Sequence, residues 1–252
     1  MWNVTIGEES IRPPRPFPAG GASSCVGVAM RLPHVVYIVG PGERNDQLRY
    51  SLRSLANVPH DGVTIAGHKP GWVRNVQYLP VRQSRGKQPN IRANMRAACA
   101  EYDQWLLMWD DVFVTRPVDQ VPVMHRGPVA ALVDRFRAKG PLSSYMQHIE
   151  RAGKILEAAG HDEPFAYDCI HVPQHIHSEH MLAAISWAEA EECDAVLTLH
   201  GNLAGRRGEQ APNAKAETGW SRRPFVSTSD RRWRRGVGDY IRDLFPARSE
   251  HE

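Results

Sequence analysis

Residues 33–55, PHVVYIVGPGERNDQLRYSLRSL, change their hydrophobic period halfway along. Val35 to Val39 form a mostly β-branched apolar run that stops at Gly40-Pro41-Gly42, after which Leu48, Leu52 and Leu55 recur at helical spacing. Strand, glycine-rich loop and helix in that order open an α/β sheet. The alternation continues. GVTIAGH (62–68) and NVQYLPV (75–81) read as strands, QPNIRANMRAACAEY (88–102) as a helix, and QWLLMWDDVFV (104–114) as one further strand. Such alternation predicts an α/β sheet, with ligands at the carboxyl ends of the strands.

The second half is less regular. PLSSYMQHIERAGKILEAAG (141–160) and SEHMLAAISWAEAEE (178–192) predict helices, the latter with Ser178 as N-cap, while AYDCIHVPQ (166–174) reads as extended. AVLTLHGN (195–202) is a short apolar run that reads as a strand. Residues 1–30, rich in Pro, Gly and Ser, predict a flexible arm, with Met30 as an alternative start; 31–252 remain as one large domain.

With 252 residues, 42% of them hydrophobic, the chain can bury a sizeable core. No run approaches the roughly 18–20 apolar residues that span a bilayer, and no signal peptide is evident, so no membrane partner and a cytoplasmic location are expected. Cys25, Cys99, Cys169 and Cys193 form no Cys-x-x-Cys pair, which suits a reducing compartment. The net charge of +3 is C-terminal: residues 201–252 hold 11 Lys/Arg against 7 Asp/Glu. The densest cluster places Arg222, Arg223, Arg231, Arg232, Arg234 and Arg235 among Phe225 and Trp233. It reads either as a phosphate-binding surface or as a solvated helix start.

Three stretches carry chemistry. Asp110 and Asp111 interrupt an apolar run, where an unpaired charge is costly, so they need a cation, a basic side chain such as Arg116, or a turn that returns them to water. In a continuous strand they would point to opposite faces. Gly40 and Gly42 either let a ligand approach the backbone, with Arg44 and Arg49 nearby to meet negative charge, or simply mark a turn. The histidine-rich CIHVPQHIHSEH (169–180) contains no His-Glu-x-x-His zinc motif. Within it, His171 before Pro173 is a candidate general base or metal ligand, or a satisfied core histidine.

In order, DQLRYSLRSLANV, WDDVFVTRPV and HVPQHI resemble Stealth-type sugar-phosphate transferases. With HGNLAG and PFVSTSDRRWRRGVGDYIRDLFP, the chain resembles, over about residues 33–246, small phage-encoded glycosyltransferases of the A-type nucleotide-sugar fold, which implies a Rossmann-like mixed sheet flanked by helices. It departs from their pattern in having Trp109 before the acidic pair and His200 before Gly201-Asn202.

The resemblance implies a metal-dependent transfer from a nucleotide-diphosphate sugar, with uridine diphosphate favoured, to an acceptor hydroxyl. The nucleotide-sugar half would be about 31–120 and the acceptor half about 121–252. Asp111 would carry Mn²⁺ or Mg²⁺ with His171 as second ligand or as base, and Asp110 would assist donor binding. Gly40, Gly42, Arg44, Arg49, Lys87, Arg92, His200, Asn202 and Lys215 would complete the donor site. The basic cluster, Arg222, Arg223, Arg231, Arg232, Trp233, Arg234 and Arg235, would meet the acceptor. A hydroxymethylated cytosine in phage DNA is the expected acceptor, in the host cytoplasm. A virion protein, a glycan, sugar-phosphate transfer and a non-catalytic nucleic-acid-binding protein are the alternatives.

Overall fold

β-Branched residues suit a pleated strand buried on both faces, and the run after Pro33 forms β1 (His34–Val39). Asn45 then caps α1 (Asp46–Ser54) by accepting from the Leu48 amide at 3.0 Å. A 3₁₀ turn (Leu55–Asn57), β2 (Gly62–Gly67), β3 (Gln77–Pro80), α2 (Lys87–Glu101) and β4 (Gln104–Met108) follow. The structure, a computed structural model, describes residues 32–83, 86–215 and 222–252. The arm expected over 1–30, with Cys25 and Met30, lies outside the described residues.

The rest of the chain builds β5 (Val112–Val114), β6 (Met124–His125), α3 (Val129–Arg137), α4 (Ser144–Ala158), β7 (Gln174–His177) and α5 (Ser178–Ala190). It ends with α6 (Val196–Leu203), β8 (Glu209–Gln210), β9 (Phe225–Ser227), α7 (Asp230–Trp233) and α8 (Gly236–Leu244). The central sheet has the order β3-β2-β1-β4-β7, with β7 antiparallel to β4 and every other pair parallel. This is an α/β protein with a mixed sheet, and its second half supplies a strand to the sheet begun by the first.

Alternation along β1 divides the core. Val35, Tyr37 and Val39 pack with Leu48 and Leu52 of α1, while Val36 and Ile38 face Met95 and Ala98 of α2. A third cluster joins Phe113 and Val226, on the paired β5 and β9, to Trp233, Val237 and Ile241. Fully burying such side chains contributes roughly 1.5–3 kcal/mol each. At the end of β2, Gly67 has φ +108°, and a Cβ there would lie 2.4 Å from the Val39 carbonyl oxygen and from Asn94 Nδ2. Only glycine lets α2 close onto the strand ends at that point.

Four expectations are corrected. QWLLMWDDVFV is two strands in separate sheets, because the Val112 amide bonds to the Trp109 carbonyl (3.2 Å) and turns the chain at the acidic pair. AYDCIHVPQ turns rather than extends: His171 has φ +54°, and the strand begins only at Gln174. AVLTLHGN lies in helix α6, not a strand. A short apolar run buried all round has no period to read, and its fate is set by Asp168, whose carboxylate accepts from the amides of Leu197 (3.4 Å) and Thr198 (2.6 Å) at the helix start. Finally, Ser178 is the first helical residue, with His177 at the cap position; the Ser178 hydroxyl donates to the Tyr102 carbonyl instead.

Candidate functional site

From β1 the chain steps to β2 and β3 on one side, then returns through α2 to β4 on the other. The carboxyl ends of β1 and β4 therefore border the point where the winding reverses, which is where open α/β sheets bind ligands. A cleft of about 470 Å³ opens there. Gly40 and Pro41 after β1, Lys87 and Asn94 of α2, and Trp109, Asp110 and Asp111 after β4 form one wall. The second half contributes Tyr145, Asp168, His171, Asp194 and Lys215. A Cβ placed on Gly40 would meet nothing within 4 Å, so the backbone faces open space.

The turn presents both carboxylates to this one cleft, which corrects the expectation of opposite faces. Asp110 Oδ2 accepts from Asn45 Nδ2 at 2.7 Å, so the residue that caps α1 also holds the first carboxylate. Asp111 is fastened through its backbone, its carbonyl accepting from the Thr228 amide at 3.1 Å. Among the described residues its side chain accepts one hydrogen bond, from Ser227 Oγ, long at 3.4 Å. Arg116 is exposed on the loop after β5, and among the described residues it pairs with neither aspartate.

Burial, with the Asp111 charge adding to it, pushes the Asp110 carboxyl up to about 6 against the Asn45 hydrogen bond. Burial raises Asp111 as well, with Lys215 and Lys87 opposing. The sign has a measurable consequence. A carboxyl raised on folding favours the folded state while protonated, and that advantage is lost as pH rises through about 6. The stability that Asp110→Asn gains over the wild type is therefore expected to be larger at pH 8 than at pH 4, by about 2–3 kcal/mol. Urea melts of both proteins at the two pH values check this, and equal differences would refute it.

His171 sits in the left-handed region, a strained conformation for a side chain of its size. Its Nδ1 is 2.9 Å from Asn213 Oδ1, which also accepts from the Lys215 amide at 2.9 Å. Because Oδ1 only accepts, Nδ1 carries the proton and Nε2 keeps its lone pair. Burial, and then Lys215, hold His171 below its ordinary value, so it is neutral at neutral pH. The segment around Asn213 is itself fixed: the Ala214 amide donates to the Ile170 carbonyl (2.9 Å) and the Ser227 amide to the Ala214 carbonyl (3.0 Å). One short stretch thus ties the His171 loop to the strand beside Asp111.

Of the residues expected at the donor, Gly40, Lys87, Asp110, Asp111, His171 and Lys215 converge on the cleft. Gly42 and Arg44 line an adjoining trough, which shares Gly40, Pro41 and Asp110 with it. Arg49 instead pairs with Glu252 (3.6 Å) and lies over Trp72, and Arg92 pairs with Asp194 at 2.8 Å. His200 is 1% exposed, and its Nε2 accepts from the His177 amide at 3.1 Å. Asn202 bonds both ways to the Phe165 backbone, at 2.9 and 2.8 Å. These four hold the fold.

In the basic cluster, Trp233 is 8% exposed and stacks on Phe113 at 5.5 Å, and Arg223 donates to the Asn213 carbonyl at 2.7 Å. Neither is free to meet an acceptor as expected. Arg222 and Arg232 line neither the cleft nor the trough; Arg231, Arg234 and Arg235 line a surface concavity with Asp230.

Sequence reading missed Asn45, Tyr145, Asp168, Asp194 and Asn213. Asn45 carried a signal, since an Asn directly before a helix is a cap. Asp168 is half-buried, and the desolvation of its carboxyl pushes it up to about 6. Its role depends on a helix about 30 residues away, and no local pattern announces that.

No protein-family model matches the chain, and no match was found among curated proteins.

Proposed function

We propose that this chain is a metal-dependent glycosyltransferase of the A-type nucleotide-sugar fold. One observation carries the reading: two adjacent half-buried carboxylates, turned into a single cleft at the reversal point of the sheet, face Lys87, Lys215 and a neutral histidine. Carboxylates together with lysines suit a ligand that brings both a hard cation and phosphate oxygens.

The donor set fits such a cation. Asp111 and Asp110 offer hard oxygens whose burial raises the cost of their charge, a cost a divalent ion would offset. Among the described residues no group of three His, Cys, Asp or Glu side chains forms a closed metal site. Mg²⁺ and Mn²⁺ need only one or two protein carboxylates, with water and phosphate oxygens completing the shell. When bound, the ion supplies Lewis-acid stabilisation of charge on the leaving diphosphate.

The chain's own groups do the rest. Lys87 and Lys215 neutralise the diphosphate oxygens, and Gly40 leaves room for them beside the backbone. In an inverting transfer, the acceptor hydroxyl oxygen bonds to the anomeric carbon as the bond from that carbon to the diphosphate oxygen breaks. The electron pair leaves on the nucleotide diphosphate, and the hydroxyl proton passes to His171 Nε2.

Asn213 is a positioning residue in this scheme. Asn213→Ala is expected to lower turnover about 10–100-fold, as second-layer partners of functional histidines do. Asn213→Asp, placing a carboxylate beside the Nδ1 proton, raises the His171 pKa and moves the acid limb of the pH–rate profile to higher pH. A role confined to folding would leave that limb unmoved.

The reading is tested by incubating the protein with a panel of nucleotide sugars and with hydroxymethylated DNA, glycans and proteins, with Mn²⁺ or with chelator. Mass spectrometry of the products shows whether a sugar or a sugar phosphate was added, which separates this activity from the Stealth-type one. No product with any donor and acceptor would reject it.

Among the described residues no helix is long and apolar enough to cross a membrane.

A further inference from the structure

The trough beside the cleft has a volume of about 600 Å³ and runs from Asp110 past Arg44 to Arg234 and Arg242. It continues at Asp230 and Arg234 into the concavity of about 520 Å³ that Arg231 and Arg235 also line. We propose that this continuous surface binds the phosphate backbone of a nucleic acid and leads it to Asp110, which makes a nucleic acid the acceptor. The acceptor role rests on the transferase reading; the binding does not.

Unspent charge is the first support. Among the described residues Arg44, Arg231, Arg234 and Arg235 are exposed and make no ion pair or side-chain hydrogen bond, whereas Arg49, Arg53, Arg92 and Arg96 are all paired with carboxylates. Arg242 is engaged, with Asp239 at 2.6 Å and under the Trp233 ring. Besides Asp110, the carboxylates lining the surface are Asp46 and Asp230, and Asp230 accepts from Gln47 Nε2 at 2.8 Å. Four free guanidinium groups against the three carboxylates Asp46, Asp110 and Asp230 leave the row with a net positive charge.

The chemistry of the surface selects the partner. A protein interface of ordinary stability needs an apolar centre. Here the one large aromatic, Trp233, is turned into the core, and none of the exposed large hydrophobic side chains lines the trough or the concavity. Free guanidinium groups on an open polar surface suit a repeating phosphate backbone. The surface also reaches the reacting groups, because Gly40, Pro41 and Asp110 line both the trough and the cleft.

The test uses the full chain and a fluorescent 20-base-pair DNA duplex, titrated between 50 and 200 mM NaCl without any donor. A variant with Arg44, Arg231, Arg234 and Arg235 all changed to Gln is compared with one carrying the same change at Arg74, Arg82, Arg116 and Arg135, exposed arginines that line neither concavity. The expected result is a log–log salt slope shallower by about 3–4 in the first variant, at roughly 0.9 per lost phosphate contact, and a near wild-type slope in the second. Equal slopes in the two variants, or no binding of DNA by the wild type, would overturn the proposal. So would tighter binding of an acidic polysaccharide of matched charge. Since no donor is present, a failed transferase reading leaves this result unaffected, and transfer to a glycan with no DNA binding would reject this proposal alone.

Discussion

Asp111→Asn is expected to reduce transfer at least about 10³-fold while the protein stays folded, a loss of roughly 4 kcal/mol in transition-state stabilisation. The substitution keeps the shape of the side chain and its contact with Ser227 Oγ, and the backbone anchor from the Thr228 amide is untouched. What it removes is a half-buried negative charge that desolvation already disfavours, so stability is expected to hold or rise. The loss therefore reports on charge at the site. Wild-type protein should likewise lose activity with chelator and regain it with Mn²⁺ or Mg²⁺. Product mass spectrometry and a thermal melt on the same samples separate the two effects, and an Asp111→Asn protein as active as wild type would remove the carboxylate from the mechanism.

The second large effect is on stability. Trp233→Ala is expected to cost about 3–5 kcal/mol, the range for truncating a buried aromatic. The ring stacks on Phe113 at an interplanar angle of 7° and packs against Tyr50 at 5.5 Å, and the Arg242 guanidinium lies 5.0 Å from its centre. It is the main side chain joining α7 and α8 to the β5–β9 pair. Urea denaturation measures the cost. Unchanged stability with weakened DNA binding would instead make Trp233 the stacking platform that its place among arginines suggests.

The contrast between those two residues shows what the sequence made legible. Up to β4 the apolar periods were strong, and strands, helices and the sheet class could be read directly from spacing. Asp110 and Asp111 stood out because buried charge is costly wherever it falls. Their direction did not, because the turn that aims them both into one cleft is closed by a single backbone hydrogen bond at Trp109 and fixed by partners at Asn45 and Thr228.

In the second half, tertiary contacts overrode local pattern. α6 is a helix because Asp168 caps it, and His200 and Asn202 are drawn into the core by the His177 and Phe165 backbones. Arg49 and Arg92 looked like phosphate ligands, yet each found a carboxylate distant in sequence, Glu252 and Asp194. Charge composition shows that arginines are abundant. Only packing shows which of them are left unpaired.

The central claim is that the cleft at the ends of β1 and β4 holds a nucleotide sugar together with a divalent cation between Asp110, Asp111, Lys87 and Lys215. Calorimetric titration of uridine diphosphate glucose into the full chain tests it most directly, with Mn²⁺ present and with chelator, in wild type and in Asp111→Asn. The expected result is saturable binding by the wild type with Mn²⁺, at least about tenfold weaker in chelator and in Asp111→Asn, a difference of about 1.4 kcal/mol or more. Binding of equal strength under all these conditions, or none in any of them across the common nucleotide sugars, would contradict it.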